Sequence, residues 1–134
     1  MMYYLVAIII FGIVVMVLVS RLGKHVPSRL NKQYFHAHWS QLLERVKTPE
    51  GMILAVIDAD KLLDEALKKR RYKGKTMGER LVAAQRSLTN NDGVWFAHKL
   101  RNRLVHEPGA KLNKKDVQRA LEGFKQALKD LGAL

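Results

Sequence analysis

The chain of 134 residues lacks cysteine and has only three prolines. The absence of cysteine excludes a disulfide scaffold and any thiolate metal site. The first 20 residues also lack Lys, Arg, Asp, Glu and His, so the rest of the chain carries the whole net charge of +12. The regular apolar spacing of that basic part argues against disorder. Its charge favours polyanionic partners, either nucleic acid or an acidic membrane surface.

The uncharged N-terminal segment has an unbroken apolar run over residues 3–19. As a helix, 17 residues would be about 26 Å long, close to the thickness of the hydrocarbon core of a bilayer. Tyr3 and Tyr4 suit one membrane interface, while Arg21 and Lys24 suit the other. The basic residues follow the run, which is typical of an uncleaved signal anchor. A cleaved signal peptide, the alternative, normally has basic residues before its apolar run.

These features divide the chain into three segments. We predict a transmembrane signal anchor over residues 1–20, which contacts the lipid bilayer through residues 3–19, and a juxtamembrane linker over 21–28 that contains Gly23 and Pro27. Residues 29–134 form the third segment. The positive-inside rule places the N-terminus outside the cytoplasmic membrane and the C-terminal domain in the cytoplasm.

Residues 29–134 show helical apolar spacing throughout and no alternating strand pattern, which predicts an all-α bundle of four or five helices. Residues typical of helix starts and breaks divide the sequence. The predicted helices run from an N-cap at Ser28 to about Val46, from Thr48-Pro49 to about Arg71, from Thr76 to about Leu88, from about Gly93 to Val105 or His106, and from an N-cap at Asn113 to about Leu131.

Three charged residues lie on helix faces that are otherwise apolar. Asp60 and Asp64 fall within the apolar arc of the second bundle helix, and Arg101 falls within that of the fourth. A buried charge needs a partner, so we expect an aspartate to pair with Arg101 or with Arg80. Two interpretations remain open. The pairs are plain salt bridges of the bundle, or a carboxylate holds Arg101 at the edge of a cleft with its guanidinium aimed at a phosphate.

The fourth helix contains Arg101-Asn102-Arg103-Leu104-Val105-His106, which resembles the R-x4-6-H signature of the HEPN superfamily. The stretch Asp60-Lys61-Leu62-Leu63-Asp64 is similar to the acidic stretch of many such domains, and the resemblance covers roughly residues 29–134. It implies an all-α bundle with metal-independent endoribonuclease activity and no cofactor, in which two protomers place their motifs across a shared cleft. Arg101, Asn102 and His106 would then be the motif arginine, its polar neighbour and the motif histidine.

The residue types suit that chemistry. A histidine exchanges protons near neutral pH, and an arginine stabilises charge that develops on phosphoryl oxygens. Arg101 and His106 are five residues apart and therefore about 140° apart around the helix, so one face cannot hold both. A frayed helix end could bring His106 back towards Arg101. Otherwise a second protomer completes the site, which is a reason to expect a homodimer.

The sequence leaves open whether the chain binds an antitoxin or another protein partner. HEPN toxins that pair with a nucleotidyltransferase antitoxin carry a tyrosine two residues after the histidine, where this chain has Pro108. That regulatory site is absent here. Since many HEPN domains only bind, the alternative function is a non-catalytic, membrane-tethered module that binds RNA or a protein. A purely structural membrane-surface protein is a third reading.

Six of the eight residues from 68 to 75 are basic. This excess predicts contacts either with RNA phosphates or with anionic lipid of the inner leaflet. Lys99 and Arg103 would extend the positive field around the motif. No histidines have ligand spacing, so no metal site is expected. The predicted nucleic-acid-binding residues are Lys68, Lys69, Arg70, Arg71, Lys73, Lys75, Lys99 and Arg103.

Overall fold

The computed structural model describes residues 1–22 and 28–134. These residues form six α-helices and one 3₁₀ turn, with no strand in the described ranges, so the predicted all-α class is confirmed. Most of the predicted linker, residues 23–27, lies outside the described residues. The helices are α1 (Met2–Leu22), α2 (Lys32–Glu44), α3 (Pro49–Lys69), α4 (Met77–Ala84), α5 (Asn91–His106) and α6 (Lys114–Asp130), with the 3₁₀ turn over Arg45–Lys47 between α2 and α3.

The apolar N-terminal run forms α1, which extends two residues beyond the predicted anchor boundary at residue 20. Its 20 residues from Met2 to Arg21 are long and apolar enough to cross a membrane. At about 1.5 Å per residue they span about 30 Å, the thickness of the hydrocarbon core. Within the described ranges α1 packs against no other helix, and its apolar side chains are exposed.

Side-chain caps set the starts of the bundle helices. Thr48, Thr76 and Asn113 each accept a hydrogen bond from a backbone N–H of the first turn that follows, as the sequence predicts. The predicted N-cap at Ser28 is wrong. Asn31 caps α2 by accepting from the N–H of Tyr34 at 3.1 Å.

Ser28 has a different role, because its hydroxyl donates to the carbonyl oxygen of Lys69 at 2.6 Å. The chain therefore enters the bundle beside the C-terminal end of α3. Two other boundaries also differ from the prediction. α4 ends at Ala84 rather than near Leu88, although Leu88 is still buried, and α5 begins at Asn91 rather than at Gly93.

The long helix α3 lies at the centre of the bundle and packs against α2, α4, α5 and α6. One stripe of small and apolar residues on α3 is buried, and α6 adds a second buried stripe. The largest fully buried side chains are Phe35, Val56, Leu63, Leu67, Leu81, Val94, Phe124, Leu128 and Leu131. Burial of this kind is the main stabilising term of a helical bundle.

The backbones of α5 and α6 approach closely where Gly93 lies beside Gly123. A Cβ atom at Gly123 would overlap the carbonyl oxygen of Gly93 and would lie 2.7 Å from its carbonyl carbon. The absence of a Cβ atom at Gly123 lets the backbone of α6 contact that of α5, which fixes the position of α5 and of the charged side chains it carries.

We expect Gly123→Ala to lower the free energy of unfolding by about 1–3 kcal/mol, because the methyl group forces α5 away from α6. The matched control is Gly78→Ala in α4, where the new Cβ would meet the Trp95 ring at an ordinary 3.7 Å. That control should be neutral or gain up to about 1 kcal/mol of helix propensity. Denaturation of the full chain in detergent micelles, followed by tryptophan fluorescence, measures both. Equal stability of Gly123→Ala and wild type would contradict the close approach.

Candidate functional site

An open cavity of about 430 Å³ lies where α3, the start of α4 and α5 meet. Asp60 and Asp64 stand one turn apart on α3, and His98, Arg101 and Asn102 share one face of α5, since they are three and four residues apart. The cavity is lined by Asp60, Lys61, Asp64, Thr76, Met77, Gly78, His98, Arg101 and Asn102.

Asp60 is the central group of this cavity and is only 4% exposed. One of its oxygens, Oδ1, lies 2.8 Å from Nδ1 of His98. The other, Oδ2, lies 3.4 Å from Nε of Arg101. One buried carboxylate thus holds two side chains of α5 at once, and each of its oxygens has its own partner.

Asp60 and Asn102 hold Arg101 in place, but they do not occupy all of its hydrogen-bond donors. Its Nη1 donates to Oδ1 of Asn102 at 3.0 Å. Its buried Nε forms the ion pair with Asp60 without the geometry of a hydrogen bond. Nη2 has no hydrogen-bond partner among the described residues, and a quarter of the side chain is exposed. A guanidinium held in this way can still donate to an anion in the cavity.

The hydrogen bonds also define the tautomer of His98. Because Arg101 donates to Oδ1 of Asn102, the amide nitrogen of Asn102 faces Nε2 of His98, at 3.4 Å. An amide nitrogen only donates, so Nε2 is the acceptor and the ring proton lies on Nδ1, where Asp60 accepts it. The ring of Trp95 packs edge-on against the His98 ring, with 6.0 Å between centroids. His98 is therefore an oriented imidazole with a basic nitrogen on the side of Asn102.

Asp64 and Arg80 form a second pair beside the first. Nε and Nη2 of Arg80 donate to the two oxygens of Asp64 at 2.7 and 3.0 Å, and Nη1 donates to the carbonyl oxygen of Gly74 at 2.7 Å. Burial raises the pKa of Asp64. The hydrogen bonds from Arg80 and Lys68 and the attraction of their charges outweigh it, so the pKa of Asp64 lies below its ordinary value.

Both aspartates therefore have the kind of partner that the sequence predicts, since Asp60 pairs with Arg101 and Asp64 with Arg80. Arg101 and Asn102 lie together in the cavity. His106 does not join them, because it is exposed at the C-terminal end of α5 and does not line the cavity. Lys99 and Arg103 are likewise exposed on α5 and do not line it.

Sequence reasoning missed His98. The R-x4-H motif points to His106 alone, and His98 has no partner at metal-ligand spacing. A usable signal was present, because His98, Arg101 and Asn102 have the spacing of neighbours on one helix face. The carboxylate that orients His98 comes from a residue 38 positions earlier, which no local pattern reveals.

The predicted basic residues at 68–75 do not face this cavity as a group. Lys68 bonds to Asp64 at 3.2 Å, and Lys69 bonds to Glu65 at 3.1 Å. Lys69 also lies 4.9 Å from the centroid of the Tyr34 ring. Arg70 lines a different cavity, and Arg71, Lys73 and Lys75 are exposed around the loop that joins α3 to α4.

A further cavity of about 230 Å³ lies between α2 and α3. Two of its four charged residues, Arg45 and Asp58, bond to each other, and Nδ1 of its histidine, His38, bonds to the carbonyl oxygen of Tyr34 at 2.9 Å. This cavity has no arrangement comparable to that around Asp60. Across residues 1–22 and 28–134, no group of three or more His, Asp or Glu side chains could hold a metal ion.

We expect Asp64→Asn to lower the free energy of unfolding by about 2–3 kcal/mol near neutral pH, because it leaves the buried Arg80 without its counter-charge. The pKa of Asp64 is lowered in the folded state, so its stabilising contribution is complete above the unfolded-state pKa, about 4, and is lost as the pH falls through the folded-state value. The difference between variant and wild type should therefore shrink in acid. Urea denaturation at a series of pH values measures it, and a constant difference across that range would contradict the ion pair.

Comparison of the chain with protein-family models, curated proteins and solved structures found no match in any of the three. The functional proposal below therefore rests on the residues around Asp60.

Proposed function

We propose that this protein is a membrane-anchored, HEPN-like, metal-independent endoribonuclease that acts as a homodimer. The observation that carries the proposal is the cavity in which Asp60 holds both Arg101 and His98, while Nη2 of Arg101 has no partner within residues 1–22 and 28–134. The first turn of α4 borders the same cavity, and helix N-termini favour anions. A guanidinium, a helix N-terminus and an oriented imidazole together suit a phosphodiester.

The proposed reaction is an internal transesterification of RNA. Nε2 of His98 accepts the proton of a ribose 2′-hydroxyl, and the 2′-oxygen attacks the adjacent phosphorus. The bond from phosphorus to the 5′-oxygen breaks, and that oxygen takes a proton from a general acid. The products are a 2′,3′-cyclic phosphate and a 5′-hydroxyl, with no redox change and no metal. Arg101 stabilises the charge that grows on the non-bridging oxygens. Asp60 acts as the positioning residue for Arg101 and His98.

The general acid in this proposal is His106 of a second protomer. His106 is exposed at the end of α5, and no described residue bonds to it in the way that Asp60 and Asn102 bond to His98. Within one chain it lies two turns beyond His98, outside the cavity. Two copies that pack through their α5 helices would bring the His106 of one towards the Arg101 of the other. The exposed Val105 gives that surface an apolar contribution.

The anchor in this proposal is α1, which holds the bundle at the cytoplasmic face of the membrane with the N-terminus outside. Basic residues follow the apolar run, and that arrangement supports the orientation. A shared bilayer raises the effective concentration of protomers and favours the homodimer.

We expect Arg101→Ala and His98→Ala each to lower the rate of RNA cleavage by about a hundredfold to ten-thousandfold, because each removes a group that acts in the transition state. His36→Ala, at an exposed histidine of α2, is the matched control and should cleave like wild type. The assay uses the full chain in detergent micelles, with EDTA present and RNA of mixed sequence. Equal cleavage by wild type and both variants would refute the assigned site. Absent cleavage with retained RNA binding would instead favour the non-catalytic binding module.

The shared site predicts a specific pattern of complementation. A purified heterodimer of Arg101→Ala and His106→Ala retains one intact site of two, so it should show about half of the wild-type activity. A heterodimer of Arg101→Ala and His98→Ala has no intact site and should stay inactive, because Arg101 and His98 act from the same protomer. Two differently tagged, co-expressed chains allow this measurement. Activity in the second heterodimer, or none in the first, would contradict the shared site.

A further inference from the structure

A second, strongly basic cavity of about 630 Å³ lies where the start of α2 meets the C-terminal ends of α3 and α6. It shares no lining residue with the cavity around Asp60. Four cationic side chains and one carboxylate surround it. The lining residues are Arg29, Leu30, Asn31, Lys32, Arg70, Lys129, Asp130, Leu131 and Gly132.

The carboxylate does not neutralise the four cations. Asp130 accepts hydrogen bonds from the backbone N–H of Thr89 at 2.8 Å, from the Thr89 hydroxyl at 2.9 Å and from the side-chain amide of Gln126 at 2.9 Å. In the part of the chain that the structure describes, no ion pair involves Arg29, Lys32, Arg70 or Lys129. The cavity therefore keeps an excess of positive charge.

Arg70 contributes both a positive charge and a hydrogen-bond donor that needs an acceptor. Its Nε is buried without a hydrogen-bond partner, although the residue lines the cavity. An arginine in this state favours an acceptor with several oxygens, and a phosphate group accepts from a guanidinium at two nitrogens. The chemistry of the cavity is thus that of a phosphate site.

The covalent connection between α1 and the bundle indicates that the phosphate of a membrane lipid lies near this cavity. Six peptide units join Leu22, the end of α1, to Ser28, and they span at most about 22 Å in any conformation. The hydrogen bond from Ser28 to the carbonyl oxygen of Lys69 then holds the chain beside the cavity. Arg29 and Lys32, which follow at once, must therefore stay near the membrane surface at which α1 ends.

We propose that this cavity binds the phosphate headgroup of an anionic phospholipid and so docks the bundle against the membrane. The inference rests on the membrane anchor of the proposed function, but not on nuclease activity. RNA is the less favoured ligand, because the cavity lies on the side where the tether enters. Docking there leaves the separate cavity around Asp60 for another ligand.

The test measures how close the bundle lies to the bilayer. Since the chain lacks cysteine, Gln33→Cys gives a single thiol on the exposed side of α2 for a donor dye, with acceptor-labelled lipid in the vesicles. The full chain is reconstituted into neutral phosphatidylcholine vesicles and into vesicles with about one third phosphatidylglycerol. The docking variant is Arg29→Gln with Lys32→Gln and Lys129→Gln, all at exposed positions.

The matched control removes three charges from the opposite end of α6, through Lys111→Gln, Lys114→Gln and Lys115→Gln. Lys114 lies about 22 Å along the helix from Lys129, since 15 residues separate them. All three control positions are exposed, so neither variant should disturb the core.

We expect energy transfer to rise with anionic lipid for wild type and for the control, and to return to the neutral-vesicle value in high salt. A basic residue near an anionic surface contributes roughly fivefold to the docking equilibrium constant, so removing three charges should lower that constant on the order of a hundredfold. Equal responses of the two variants would overturn the proposal. So would a docking variant that loses RNA binding but keeps the lipid response. Binding of inorganic phosphate that anionic vesicles do not displace would assign the site to a free anion instead.

Flotation with neutral vesicles tests the anchor separately. A chain that fails to float with neutral vesicles would refute the membrane anchor. Docking would then be tested by flotation with anionic vesicles, and the docking variant must abolish that flotation. Loss of nuclease activity with an intact lipid response would refute only the enzymatic part.

Discussion

A single buried carboxylate, Asp60, is the constraint on which the rest of the site depends. A charge in the interior of a bundle is costly unless it is paired and hydrogen-bonded. Asp60 meets this requirement with two partners, both on α5 and both within 3.4 Å. The same contacts that make the carboxylate tolerable inside the bundle also fix the rotation of α5 against α3. They orient an imidazole and a guanidinium towards one open space.

The network extends from that carboxylate by matching donors to acceptors. Arg101 sets the orientation of Asn102, Asn102 faces the acceptor nitrogen of His98, and His98 returns its proton to Asp60. The close contact of Gly93 and Gly123 supports the network from the side of α5 that packs on α6, because it sets the distance between these two helices. Close backbone packing on one side and a polar side-chain cluster on the other thus hold the same helix.

The molecule also separates its positive charge into two regions. Near Asp60 and Asp64, the guanidinium groups of Arg101 and Arg80 are paired with carboxylates. Near Arg29 and Lys129 the cations have no paired carboxylate among the described residues, and this region lies beside Ser28, where the described chain enters the bundle. The net charge of +12 is therefore not one uniform field.

The sequence by itself determined the all-helical class, the apolar length of α1, the caps at Thr48, Thr76 and Asn113, and the inward positions of Asp60, Asp64 and Arg101. These properties follow from periodicity and capping, which act over a few residues. Only the tertiary structure decided that Ser28 bonds to the end of α3 rather than capping α2, that His98 pairs with Asp60, and that His106 lies outside the cavity that holds Arg101. The physical reason is that these outcomes depend on which helices pack together and at what rotation, and no local spacing encodes the partner of a side chain that is 38 or 41 residues away in the chain.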